Sequence, residues 1–177
     1  MSGNPAKGAS WTFILAVAAY ALAGCSSPSG PTASQEPAQG WQSALPDQKR
    51  KVMVFIDEMA AVYRRLGKDV KKEGYHLVFT DVGPESLERA EPVLFATLLA
   101  KGSGGGVQFR GSSKATVDSI SVRDRKTGEI GVAFLMTEMK DDGQGGFDVS
   151  GTWYAKESTW KDVKYHLHQE NGKWRAE

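Results

Sequence analysis

Hydrophobic positions set out a long helix first. From Asp47 to Lys72, Val52, Phe55, Ile56, Met59, Val62, Tyr63, Leu66 and Val70 recur at three- and four-residue spacing, which is one helical face. Pro46 and Asp47 supply a start signal, Gly67 marks a bend or an end, and Gly74 a stop. The Met53–Met59 pair reads as core filling rather than as a ligand set. Tyr75 to Val82 carries β-type residues and predicts a short strand, broken by Gly83-Pro84. A second helical region runs from Glu85 to Lys101, with a kink or fresh start at Pro92 and Gly102 as a C′ cap.

From Val107 onward the period becomes two. Thr116 to Asp124 predicts one strand, closed by Lys126-Thr127-Gly128. Glu129 to Lys140 is apolar on both faces, with Ile130, Val132, Phe134 and Met136 against Gly131, Ala133, Leu135 and Met139, which predicts a central strand. Asp141 to Gly146 is a glycine-rich turn. Phe147, Val149, Trp153 and Ala155 then alternate with Asp148, Ser150, Thr152 and Lys156. Val163, Tyr165 and Leu167 alternate with Lys164, His166 and His168, and Asn171-Gly172 turns the chain into Lys173 to Ala176. Helices first and hairpin-linked strands last predict an α+β fold: N-terminal helices packed on a curved antiparallel β-sheet meander.

The first 45 residues follow neither period. Trp11 to Ala23 is an apolar run of signal-peptide length, short of the roughly 20 residues a spanning helix needs. Lys7 precedes it, and no arginine pair marks a twin-arginine signal. The run ends in Leu22-Ala23-Gly24-Cys25, which resembles the lipobox of bacterial lipoproteins. Small residues before the cysteine let a peptidase grip extended backbone, and the thiol accepts a diacylglyceryl group. The resemblance implies a signal peptide over 1–24, a lipidated Cys25 carrying palmitate-type chains, and a partner in the lipid bilayer. It places the protein in the cell envelope. Ser26 points to the periplasmic side of the outer membrane in a Gram-negative cell; in a Gram-positive cell the site is the outer face of the cytoplasmic membrane. Ser26 to Gly40 is rich in Ser, Pro and Gly, so residues 25–44 read as a disordered tether and 45–177 as a single domain.

Composition adds exclusions. The 177 residues carry 22 Lys plus Arg against 21 Asp plus Glu, a formal charge of +1, with no footprint for nucleic acid. One cysteine excludes an intramolecular disulfide and a multi-cysteine zinc site. The order of elements from Leu45 to Glu177 and the final hairpin, Tyr165-His166-Leu167 followed by Asn171-Gly172-Lys173-Trp174, look like the nuclear transport factor 2-like (cystatin-like) fold. That resemblance implies a cone-like domain and carries over no catalytic residue.

The candidate chemistry is sparse. His166 and His168 share a strand face as half of a metal site without a third ligand, or as a plain polar face. Gly102 to Gly106 follows a helix and precedes a strand, the reverse of a phosphate loop. Ser158-Thr159-Trp160-Lys161 and Lys126-Thr127-Gly128 match penicillin-binding fragments in the wrong order and are set aside. Asp57, Glu58, Asp81 and Asp118 are candidate carboxylates for a cone cavity, or ordinary surface charge. Alternation puts Trp153 and Tyr165 inward and Tyr154 outward. Tyr154, Trp160, His166 and His168 are therefore the candidate surface for a ligand or partner, with no catalytic set, metal or cofactor expected. The expected role is a membrane-anchored module that binds a small ligand or an envelope protein. The alternatives are a small hydrolase or isomerase using a pocket carboxylate, and a structural partner that dimerises through its sheet.

Overall fold

A 27-residue helix, α1 (Pro46–Lys72), opens the described part of the chain. The structure is a computed structural model that describes residues 46–82, 87–118, 121–156 and 159–177. The signal-peptide, lipidation and tether expectations, Cys25 included, lie outside the described residues, as does Ser158. After α1 come β1 (Leu77–Thr80), α2 (Leu87–Ala90), α3 (Pro92–Gly102), β2 (Gln108–Gly111) and a single 3₁₀ turn. The remaining strands are β3 (Ala115–Val117), β4 (Val122–Asp124), β5 (Ile130–Asp141), β6 (Phe147–Tyr154), β7 (Trp160–Glu170) and β8 (Lys173–Ala176). The class is the expected α+β, with the helices beside a curled sheet.

The sheet runs β2-β1-β5-β6-β7-β8. Strands β5 to β8 form the expected antiparallel meander. Strand β1, however, lies parallel to both β5 and β2, so the sheet is mixed. A parallel pair needs a crossover, and α2 with α3 supply it between β1 and β2. All four residues of β1 are buried, as a strand covered on both faces requires.

Within the unit from Phe55 to Glu177, α1 covers the inner face of the sheet. Tyr63 stacks on Phe109 at 4.9 Å and meets Phe134 edge-on at 6.4 Å. Its hydroxyl shares a 3.0 Å hydrogen bond with Thr80. Further along, the Tyr165 hydroxyl donates to Asp69 at 3.2 Å, and Lys161 pairs with Glu73 at 2.7 Å. Ile56, Met59, Val62 and Leu66 are fully buried, as their spacing predicts. Gly67 does not end α1, which runs on to Lys72, and it lies against Phe109.

The outer face carries a smaller core. Leu77, Phe79, Ala115 and Val122 are buried there, with Ala133 and Tyr154 packed against them. The cover comes from β3 and β4, which correct the single strand expected over Thr116–Asp124. Asp118 breaks that stretch: its carboxylate accepts the Ser121 amide at 2.7 Å and turns the chain into a hairpin. A bulge at Met136/Glu138 brings Met139 inward, onto the face of Phe134, by inserting one residue into the alternation. Gly102 is also corrected: it is the last residue of α3, not a cap beyond it.

Candidate functional site

Tyr154 and Trp160 sit opposite each other where β6 passes into β7. Their rings lie 4.8 Å apart, tilted by 35°. Tyr154 leans on the small outer core, and its hydroxyl donates to the Asp118 carbonyl at 3.4 Å. Trp160 is left 68% exposed. Leu135, 64% exposed, shares that face because its register neighbour Ala133 stands opposite Tyr154. A large indole held by one aromatic neighbour and left open to solvent is the composition of a contact surface rather than of a core.

His166 and His168 share this sheet face, as the alternation predicts, but not this place on it. His166 lies six positions beyond Trp160 along β7, about 20 Å of extended chain. The four expected surface residues therefore form two patches. In the second, the imidazoles stack at 5.8 Å. His166 Nδ1 lies 3.0 Å from Asp148, and Nε2 lies 3.7 Å from Asp142. The hydrogen bond to Asp148 raises the His166 pKa above its ordinary value, and the charges of Asp148, Asp142 and Glu177 act in the same direction. His168 Nδ1 is 4.0 Å from Glu177 and makes no hydrogen bond among the described residues. No group of three His, Cys, Asp or Glu side chains placed to hold a metal ion occurs among the described residues.

The four candidate carboxylates separate by environment. Asp57 pairs with Lys101 at 2.5 Å on the surface. Asp81 accepts the Val82 amide at 2.8 Å and the Ser112 hydroxyl at 3.4 Å. Asp118 closes the β3–β4 turn. Glu58 alone is buried, at 7% exposure. Burial pushes its carboxyl up to about 7, and the neighbouring Asp57 charge adds to the rise. Sequence offers one signal for this: Glu58 lies one turn before Val62 and two before Leu66, on the flank of the apolar face.

Two features escape the sequence pattern. Asp124, buried on β4, accepts the Thr127 and Lys126 amides, the Thr127 hydroxyl, and Arg110 of β2 at 2.6 Å. Those donors, the Thr127 amide first and Arg110 second, hold its carboxyl down at about 2. The Lys126-Thr127-Gly128 stretch is thus a turn built around Asp124. The other is a cationic groove between α1 and β8, lined by Arg64, Arg65, Lys68 and Arg175.

Comparison of the chain with family models, with curated proteins and with solved structures finds no match. No helix among the described residues is long and apolar enough to cross a membrane.

Proposed function

We propose that this protein is a lipid-anchored binding or assembly module of the cell envelope, tethered through acylated Cys25. Its domain presents the outer face of the sheet to a partner. The observation that carries the binding role is Trp160, 68% exposed and backed by Tyr154 at 4.8 Å. Such an indole offers large contact area at little entropic cost, and tryptophan is enriched where interfaces concentrate their energy. The anchor rests on the Leu22-Ala23-Gly24-Cys25 lipobox. The nuclear transport factor 2-like kinship belongs to the same proposal and rests on element order and the closing hairpin.

Intact mass and membrane fractionation beside Cys25→Ser test the anchor. Loss of residues 1–24, a mass gain of acyl size and release by the substitution support it. An unprocessed chain in both variants sinks it. A photo-crosslinking residue at 160, compared with one at the equally exposed Val93 on α3, tests the surface. An envelope-protein adduct at 160 alone supports it; equal adducts, or none, count against it.

The second reading is a small hydrolase or isomerase, and Glu58 is the observation in its favour: a buried carboxyl with a pKa near neutrality suits general acid–base work. A catalytic carboxyl needs an orienting partner, and Glu58 has no hydrogen-bond partner among the described residues. The binding role is therefore preferred.

A further inference from the structure

A formal charge of +1 conceals an uneven distribution. Between Arg64 and Glu73, at the end of α1 and the turn after it, the chain carries five cations against Asp69 and Glu73. Three of the five, Arg64, Arg65 and Lys68, line a groove of about 190 Å³ together with Ala61, Trp174 and Arg175 from β8. The nearby acids are already shared. Asp69 lies 3.5 Å from Arg65 and 3.5 Å from Lys72, and also accepts the Tyr165 hydroxyl. Glu73 is taken by Lys161, and Glu170 pairs with Arg175. Arg64 donates to the Lys101 carbonyl, which is neutral. Lys68 makes no ion pair among the described residues, and the buried Nε–H of Arg65 finds no acceptor there.

Positive charge thus converges on one groove in excess of the carboxylates that face it. Arginine forks match the tetrahedral oxygens of a phosphate, and lysine adds a point charge. The positive surface also extends past the groove. A second hollow on the other flank of α1 shares Arg64 and Lys68 and adds Lys71. A strip of this length suits a charged surface better than one small anion. Trp174, half-buried against Phe147 at 5.9 Å, stands at the margin, where a membrane-facing domain places an amphipathic ring.

We propose that the groove between α1 and β8 holds the phosphate of an anionic phospholipid headgroup, with Arg64, Arg65 and Lys68 of α1 as its donors; Arg175, in register with His168 and paired with Glu170, contributes only its backbone to the groove wall. The domain then lies with this face on the bilayer. The inference draws on the lipid-anchored reading for the nearness of that bilayer. It leaves the outer face of the sheet, with Trp160, free for a partner.

The full chain is reconstituted in nanodiscs of phosphatidylcholine, with or without phosphatidylglycerol, and treated with an amine-modifying reagent. Modification of Lys68 is read by mass spectrometry against Lys126 on the β4–β5 turn. Lys68 is expected to react severalfold more slowly in the phosphatidylglycerol discs alone. Combined Arg64→Gln and Arg65→Gln should restore its reactivity, and Arg64→Lys should preserve the protection. Equal reactivity in both discs overturns the proposal. Protection by glycerol phosphate in phosphatidylcholine discs, equal to that in the anionic discs, overturns the headgroup as the source. A chain that fails to stay anchored is instead mixed with vesicles of the same two compositions. Protection by the anionic vesicles supports the groove without the anchor, and its absence overturns it.

Discussion

Gly102 ends α3 flat against the ring of Tyr63: a methyl group at position 102 would stand 2.7 Å from the Tyr63 Cβ and 3.0 Å from its ring. The contact lets α3 approach α1 at the point where Tyr63 joins Phe109, Phe134 and Thr80. Helix propensity alone favours Gly102→Ala by up to about 1 kcal/mol. Overpacking a close contact costs about 1–3 kcal/mol and outweighs it. Gly102→Ala is expected to lower the urea midpoint without changing the slope. An unchanged or raised midpoint would show that α3 can shift away from Tyr63.

The two tryptophans of the β6–β7 hairpin are expected to behave oppositely. Trp153 is 2% exposed, meets Tyr75 edge-on and lies under Lys161. Trp153→Ala should cost about 3–5 kcal/mol, as large aromatic truncations in cores do. Trp160→Ala removes an exposed ring and should stay within about 0.5 kcal/mol. Thermal unfolding of both variants checks the pair. A Trp160 variant that unfolds like the Trp153 variant would make Trp160 a structural residue and remove the case for a contact surface.

Residues whose burial follows a single period were legible in the sequence. The α1 face holds from Phe55 to Val70, and the β6–β7 alternation holds at Val149, Trp153, Ala155, Tyr165 and Leu167, all buried, while Val52, Phe147 and Val163 are only half-buried. The parallel pairing of β1 was not, because a strand buried on both faces shows no alternation to read. The β3–β4 break depends on one Asp118 hydrogen bond, and the β5 parity change on one inserted residue. At the candidate site, Tyr154 and Trp160 come together because a hairpin register joins near neighbours in sequence. The basic groove could not be read this way: its walls, α1 and β8, come from opposite ends of the domain, and net charge averages its cations away.

His166 should titrate above the ordinary histidine value, because Asp148 accepts a hydrogen bond from its protonated ring at 3.0 Å. Its folded pKa is raised, so the stabilisation is complete below the unfolded value of about 6.5 and is lost as pH rises through the folded one. Proton NMR of the imidazole in the parent chain and in Asp148→Asn measures this. The variant should titrate lower. An unchanged midpoint would place the cause elsewhere, with Asp142 and Glu177 as the remaining acids.

Two buried carboxyls should give the stability curve opposite slopes at its two ends. Asp124, held near 2 by the Thr127 amide, Arg110 and its other donors, has a folded pKa below the unfolded value of about 3.9. Its contribution is present above about pH 4 and disappears as pH falls toward 2. Glu58 has the reverse sign. Its folded pKa of about 7 exceeds the unfolded value of about 4.3, so the neutral acid is the form the fold accepts. The protein is then most stable, with respect to Glu58, in mild acid. It loses on the order of 4 kcal/mol at most as pH rises from about 4 through 7, by the worth of a pKa shift of this size. Glu58→Gln should flatten the curve between pH 5 and 8 and leave the acid limb to Asp124. Asp124→Asn should remove the acid limb and leave the other slope intact. Denaturant unfolding across the pH range reads both. A Glu58→Gln chain that keeps the parent slope near neutrality would show that Glu58 is solvated in the folded state, and the enzymatic reading would lose its one supporting residue.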